Sequence, residues 1–141
     1  MGFGYKRTDL QKLAEGKLAD AVLLLENRRF TSAYYLAGYA VELGLKACAA
    51  RQIVAETIPD KDWVNKIFTH TYKSLVGVAG LQEELKSREL ADSVFAANWA
   101  VVSEWTPDIR YVPVDATTAQ VMLNAVANPQ SGVMAWIRLH W

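Results

Sequence analysis

Apolar residues recur at helical spacing along nearly the whole chain, and the alternation typical of β-strands is almost absent. The pattern predicts a first helix over residues 9–27, followed by a short turn over 27–30. Thr31 or Ser32 would cap a second helix that reaches about Ala55. Because the turn is so short, the two helices are expected to form an antiparallel hairpin.

The middle of the chain predicts shorter helical pieces and one long helix. A helical turn is expected over residues 63–68, and a third helix is expected over 70–78, ending at Gly80. Residues 81–105 carry apolar positions at helical spacing, and they are expected to form one long helix that Pro107 terminates.

The last part of the chain is also predicted to be helical. Asp115 or Thr117 would cap its helix. Asn128 and Pro129 interrupt the pattern, which indicates either a kink or a fresh helix with Asn128 as N-cap and Pro129 at its first position. Residues 132–141 close the chain. The whole pattern predicts one all-α domain over all 141 residues, an up-and-down antiparallel helical bundle of four to five helices.

Composition narrows the classes of function. Lys plus Arg and Asp plus Glu are equal at 15 each, so no overall charge draws the chain to nucleic acid or to an anionic membrane. The apolar runs are shorter than the ~18 residues that cross a bilayer, and the start of the chain lacks the apolar core of a signal peptide. The single cysteine, Cys48, suits a reducing cytosol and is expected to be a buried small hydrophobe. We therefore expect a cytoplasmic protein without a membrane partner.

The second predicted helix is rich in small residues. Gly38 and Gly44 lie inside it, and a glycine in a helix interior costs about 1 kcal/mol relative to alanine. Close approach of a neighbouring helix is the usual compensation.

Two tryptophans lie at the ends of predicted elements. Trp105 lies at a predicted helix end and Trp141 at the chain terminus, so we expect both to be half-exposed, at a dimer interface.

Tyr35, Tyr39, Glu42 and Lys46 fall on one stripe of this helix at a period of 3.6 residues. Glu42 and Lys46 are four residues apart, in the order that favours a helix ion pair. They can be a structural ion pair, or they can line a polar groove in which Lys46 binds a phosphate and the tyrosines stack a base. The sequence alone leaves both interpretations open.

The chain resembles the HEPN domain family, the higher eukaryotes and prokaryotes nucleotide-binding domain. The resemblance is carried by four motifs in the family's order: Ala33-x-Tyr35-x-Ala37-Gly38-Tyr39-Ala40-x-Glu42-x-x-Leu45-Lys46, His70 with Leu75, Trp105 followed by Arg110-Tyr111, and Gly132-Val133-x-x-Trp136-Ile137. It implies a compact helical bundle, commonly a homodimer, from a prokaryote. The family includes RNA-cleaving toxins, helical partners of small nucleotidyltransferases in toxin–antitoxin-like systems, and modules that bind nucleotides without cleaving them.

The chain departs from the pattern of the RNA-cleaving members, in which an Arg is followed four to six residues later by a His. His70 has no upstream arginine at that spacing, and His140 follows Arg138 too closely. Arg110 has no following histidine at that spacing either. The chemistry uses His as general acid or base and Arg as a phosphate clamp. Separate helices could still bring His70 and Arg110 together, and these two are the candidate catalytic residues.

We therefore expect a non-catalytic HEPN-type helical module that forms a homodimer and binds a nucleotide or RNA, or acts as the partner of a nucleotidyltransferase. The candidate ligand-binding residues are Tyr35, Tyr39, Glu42, Lys46, His70, Arg110 and Tyr111. Two distant histidines without a cysteine pair give no metal-binding motif, and no cofactor is expected. The alternatives are a ribonuclease toxin with a non-standard Arg/His pair and a purely structural dimerisation domain.

Overall fold

The computed structural model describes residues 4–141, and this part of the chain is all-helical, without a β-strand. The predicted all-α class is therefore confirmed. Eight α-helices and one 3-10 turn lie in the described range: α1 Arg7–Glu26, α2 Phe30–Ala50, α3 Lys61–Ile67, α4 Tyr72–Val78, α5 Gln82–Ala91, α6 Ser93–Ser103, the 3-10 turn Pro107–Tyr111, α7 Ala116–Ala127 and α8 Val133–Arg138. The prediction of four to five helices is too low, because one long predicted helix is divided and short segments form helices of their own. Within residues 4–141, no helix has the length and hydrophobicity needed to cross a membrane.

Asp92 divides the predicted long helix over 81–105 into α5 and α6. Its side chain accepts hydrogen bonds from the backbone N–H groups of Val94 and Phe95, both at 3.0 Å, and so caps the start of α6. An aspartate that bonds the backbone ahead of it competes with continuation of the preceding helix. Apolar spacing alone does not reveal this break, because the spacing continues across it.

The helices α1 and α2 form the expected hairpin and pack extensively against each other. Residues 27–29 link them, and Arg28 in this link adopts the left-handed conformation with φ of 61°. The predicted end of α2 at about Ala55 is wrong, since the helix stops five residues earlier. The side chains of Ile53 and Val54 are exposed, so no packing supports a longer helix.

Some predicted helix boundaries are confirmed and others are not. Asp115 caps α7 by accepting a hydrogen bond from the backbone N–H of Thr118 at 2.7 Å, and Gly80 follows α4 with φ of 71°, both as predicted. Thr31 does not cap α2, because it lies inside the helix. Its hydroxyl instead accepts a hydrogen bond from the backbone N–H of Val114 at 3.0 Å and ties α2 to the segment before α7.

The interruption at Asn128 and Pro129 is confirmed, because α7 ends just before it. These residues do not start the next helix, however. The Asn128 side chain accepts hydrogen bonds from the backbone N–H groups two and three residues ahead and holds a turn. The last helix, α8, starts only after Gly132, where a Cβ would overlap the backbone of Asn128.

The central helix of the fold is α2, because it contacts α1, α4, α7, α8 and the 3-10 turn. Its two interior glycines are positions of close approach, as predicted. A Cβ at Gly44 would lie 2.9 Å from Ile137 of α8, and a Cβ at Gly38 would overlap the indole of Trp105. Trp105 is only 3% exposed, so its predicted half-exposure is wrong, whereas Trp141 is half-buried. The missing side chain at Gly38 makes the room for the Trp105 ring.

Eight aromatic side chains form one continuous row of ring contacts, here called the aromatic ladder. Its members, in order of contact, are Tyr39, Tyr35, Trp105, Tyr72, Trp99, Phe95, Trp136 and His140. Neighbouring ring centroids lie 5.3 to 6.5 Å apart, within the range of favourable aromatic pairs. The ladder joins α2, α4, α6 and α8, so segments distant in sequence are held by one set of contacts.

Candidate functional site

The candidate site is built around Glu42, a buried carboxylate on the central helix α2. Its side chain is 1% exposed, and each oxygen has a partner: Oε2 lies 3.2 Å from Nζ of Lys46, and Oε1 lies 2.7 Å from Nδ1 of His70. A carboxylate so far from water is tolerated because both partners compensate for its lost hydration. The ion pair that the spacing predicts within α2 is present, and the fold adds His70 as the third member.

His70 lies in the segment before α4, and its contact with Glu42 determines which nitrogen it presents. An ionised carboxylate only accepts hydrogen bonds, so Nδ1 carries the hydrogen and Nε2 is the nitrogen available to a ligand. The His70 side chain is 59% exposed. A buried carboxylate therefore orients an accessible imidazole, an arrangement that suits both ligand binding and proton transfer.

The predicted tyrosines and Arg110 form a second group beside the first. The rings of Tyr35 and Tyr39 stack with centroids 6.3 Å apart, and the Arg110 guanidinium lies 5.1 Å from the centre of the Tyr111 ring. Polar contact with the hydroxyl of Tyr111, and then with that of Tyr35, raises the pKa of Arg110. Burial, and then the nearby Glu42 carboxylate, raise the pKa of Tyr39. Tyr39 thus lies near enough to the buried carboxylate for its pKa to respond to that charge.

A cleft of about 710 Å³ opens beside His70, between α4, α5, α6 and the start of the 3-10 turn. Its wall includes rings of the aromatic ladder, among which Trp99 is half-buried. Lys73, Lys86 and Glu89 also line the cleft, and Nζ of Lys86 lies 3.5 Å from Oε1 of Glu83. The volume lies within the range of small-molecule sites, which combine apolar walls with a few polar groups. The cleft therefore has the size and lining of a ligand-binding site.

The structure brings the predicted site residues together only in part. Glu42 and His70 are in contact, whereas Arg110 is not among the described residues that line the cleft, and within residues 4–141 it shares no hydrogen bond with His70. Of the residues that line the cleft, sequence reasoning identifies His70 and misses the others, among them Trp99 and Lys73. Trp99 lies at the spacing of a core residue and Lys73 belongs to no motif, so neither signals a ligand site. Lys73 and Trp99 line the same cleft because Tyr72, the neighbour of Lys73 on α4, packs on Trp99 with ring centroids 6.3 Å apart.

No protein-family model, curated protein or solved structure matches this chain. Among residues 4–141, no three His, Cys, Asp or Glu side chains are grouped as a metal ion would require. Function is therefore inferred from the geometry of the site and from the motifs of the sequence.

Proposed function

We propose that this chain is a non-catalytic, HEPN-like helical module that binds a nucleotide or RNA in the cleft beside His70. The observation that carries the proposal is the accessible His70 imidazole, which lines that cleft and is oriented by the buried Glu42. The cleft offers an oriented imidazole, an aromatic wall and two lysines. This combination suits a ligand that contains both an aromatic base and a phosphate.

Each part of a nucleotide has a matching group at the site. The half-buried Trp99, which lines the cleft, stacks the base, as aromatic side chains do in sites for single-stranded nucleic acid. Lys73 and Lys86 supply positive charge for the phosphate oxygens. On the adjoining surface, the exposed Arg110 beside Tyr111 extends the binding surface for a further phosphate.

Binding is tested by fluorescence anisotropy with fluorescein-labelled hexauridylate. Trp99→Ala should weaken binding roughly ten-fold, since stacking of one base contributes about 1–3 kcal/mol, and His70→Ala should weaken it as well. Trp141→Ala is the matched control, because Trp141 is not among the described cleft residues, and it should bind as the parent does. A parent protein that binds neither RNA nor nucleotide would contradict the proposal and leave a purely structural dimerisation domain.

We propose further that the module is a homodimer in the cytoplasm of a prokaryote and works with a nucleotidyltransferase in a toxin–antitoxin-like system. The HEPN resemblance supports both partners, and the exposed apolar side chains of Leu90 and Val94 provide a surface for the second copy. Light scattering should give twice the 15.7 kDa mass of the chain, and Val94→Asp should reduce it to the mass of one chain. A parent protein with the mass of one chain would refute the homodimer, and failure to co-purify with a nucleotidyltransferase encoded beside it would count against the second partner.

The contact between Glu42 and His70 also favours the ribonuclease alternative. A carboxylate that holds an imidazole in one tautomer is a common arrangement for a general base. The test incubates end-labelled mixed RNA with the parent, with His70→Ala and with Arg110→Ala. Cleavage by the parent that vanishes in both variants would establish a nuclease. No cleavage, or equal cleavage by all three preparations, would leave the binding module as the better account.

A further inference from the structure

The helix α5 forms one wall of the cleft beside His70, yet it is weakly anchored to the rest of the fold. Its cleft-lining residues are Gln82, Leu85, Lys86 and Glu89. None of its ten residues is buried, and it packs mainly against α6. A helix of this length is marginal in water without tertiary packing, so the position of α5 depends on few contacts.

Apolar packing contributes little to the position of α5. Leu85 packs at the edge of the core, whereas Leu90, the other leucine of the helix, is 90% exposed. The ion pair between Lys86 and Glu83 is exposed and lies within the helix, so it does not hold α5 to its neighbours. One partly buried leucine is therefore the main apolar anchor of this helix.

The side chain of Arg88 ties α5 to a distant part of the chain. Its Nη2 donates to the backbone carbonyl of Gln130, in the turn between α7 and α8, at 2.9 Å. The guanidinium lies 5.5 Å from the centre of the Phe95 ring on α6. Its Nε is buried without a hydrogen-bond partner among residues 4–141, and Oδ2 of Asp92 is 3.7 Å away. Because an unsatisfied buried donor opposes burial, Arg88 is a latch of limited strength.

Both ends of α5 are held more firmly than its middle. Leu81, just before the helix, is 7% exposed, and its backbone N–H donates to the carbonyl of Val76 at 3.0 Å. Asp92, just after the helix, caps α6 and accepts a hydrogen bond from the hydroxyl of Ser131 at 2.8 Å. A segment with firm ends and a weakly held middle opens locally while the core stays folded.

We propose that α5 is a strap that opens by local unfolding between Leu81 and Asp92 and so controls access to the cleft. When α5 opens, the cleft loses one wall, and a ligand enters or leaves. When α5 is seated, its cleft-lining side chains contact the ligand, and Arg88 latches the helix to the turn between α7 and α8. Control of ligand entry rests on the proposed function, whereas the opening of α5 does not.

Hydrogen exchange followed by mass spectrometry measures the opening of α5. In the parent, the backbone amides of α5 should exchange much faster than those of α6, because α6 carries the buried Phe95 and Val102. Arg88→Ala should lower the protection of the α5 amides roughly ten-fold, since one hydrogen bond from a charged group is lost, and it should leave α6 unchanged. Arg138→Ala is the matched control: Arg138 bonds Glu15 at 2.6 Å elsewhere in the fold, and its loss should not alter α5.

The ligand experiment uses hexauridylate, the probe of the proposed function. Saturating hexauridylate should slow exchange in α5 more than in α6, because α5 contacts the ligand only when it is seated. Arg88→Ala should also speed dissociation of the labelled hexamer several-fold, whereas Arg138→Ala, which removes the same charge, should not. Arg88 is not among the described residues that line the cleft, so faster dissociation reports loss of the latch and not of a ligand contact.

The outcomes separate the strap from the proposed function. Equal protection of α5 and α6 in the parent would overturn the strap, and an equal fall in both helices of Arg88→Ala would overturn the latch. Bound hexamer that leaves the exchange of α5 unchanged, with normal dissociation from Arg88→Ala, would overturn control of the cleft. A parent that binds no probe would overturn the proposed function, and the exchange of α5 would still decide whether the strap opens.

Discussion

Replacement of Gly38 by alanine tests how tightly α2 packs against Trp105. A Cβ at this position would overlap Cγ, Cδ1 and Nε1 of the indole. The ring cannot simply turn away, because it lies between Tyr35 and Tyr72, with centroids 5.9 and 5.5 Å from its own. The added methyl group must therefore displace a rigid ring and disturb the aromatic ladder on both sides.

The magnitude follows from two opposing effects. Overpacking a well-packed core costs about 1–3 kcal/mol, and the rigid ring places Gly38→Ala near the upper end. Alanine in a helix interior gains about 1 kcal/mol over glycine. The expected net change is a loss of about 2 kcal/mol in the free energy of unfolding. Gly16→Ala on α1 is the matched control, since nothing beyond its own helix backbone lies within 4 Å of its added Cβ, and it should stabilise by up to about 1 kcal/mol.

The assay is urea unfolding followed by far-UV circular dichroism, with Trp105→Ala as a second background. In that background the overlap is removed, so Gly38→Ala should stabilise by about 1 kcal/mol, and the double-mutant cycle should give a coupling of about 3 kcal/mol. If Gly38→Ala shifts the urea midpoint in the same direction and by the same amount as Gly16→Ala, the reasoning about this contact is refuted.

Three other predictions follow from single contacts. Tyr72→Phe removes a buried hydroxyl that donates to the Gly38 carbonyl at 2.6 Å, so urea unfolding should show a loss of about 1 kcal/mol, and an unchanged midpoint would contradict this. Burial lowers the pKa of His140, so the unfolded chain binds its proton more readily and stability falls as pH drops through about 6.5. His140→Gln should flatten that part of a thermal-midpoint profile, and an unaltered profile would exclude His140 as the cause. Burial raises the pKa of Cys48 to about 12, so a thiol reagent should modify it only in urea, whereas rapid labelling of the native protein would contradict its burial.

Those parts of the fold that depend on neighbouring residues were predictable from the sequence. The helical class, the α1–α2 hairpin and the cap at Asp115 all rest on spacing or on a side chain within three residues of its partner. The break at Asp92 was not predicted because apolar spacing continues through it, although aspartate is itself a favoured N-cap residue. The burial of Trp105 was not predicted, because it depends on Gly38, which lies far away in the sequence.

The candidate site shows the same division. The pair of Glu42 and Lys46 was predictable because both lie on one helix at a spacing of four. The contact between Glu42 and His70 joins α2 to the segment before α4, and no local pattern encodes it. The cleft beside His70 exists only after α4, α5 and α6 have packed, so its other residues carry no signal in the sequence.

The aromatic ladder has a consequence for the order of folding events. The α1–α2 hairpin brings together residues close in sequence, whereas the ladder needs Tyr35, Tyr72, Trp99 and Trp136 to meet from four separate helices. Closing such long loops lowers the chain entropy before the stabilising contacts of the ladder have formed. We therefore expect the hairpin to form early and the ladder late. Substitutions in the ladder should then accelerate unfolding with little effect on the rate of folding, and substitutions between α1 and α2 should slow folding.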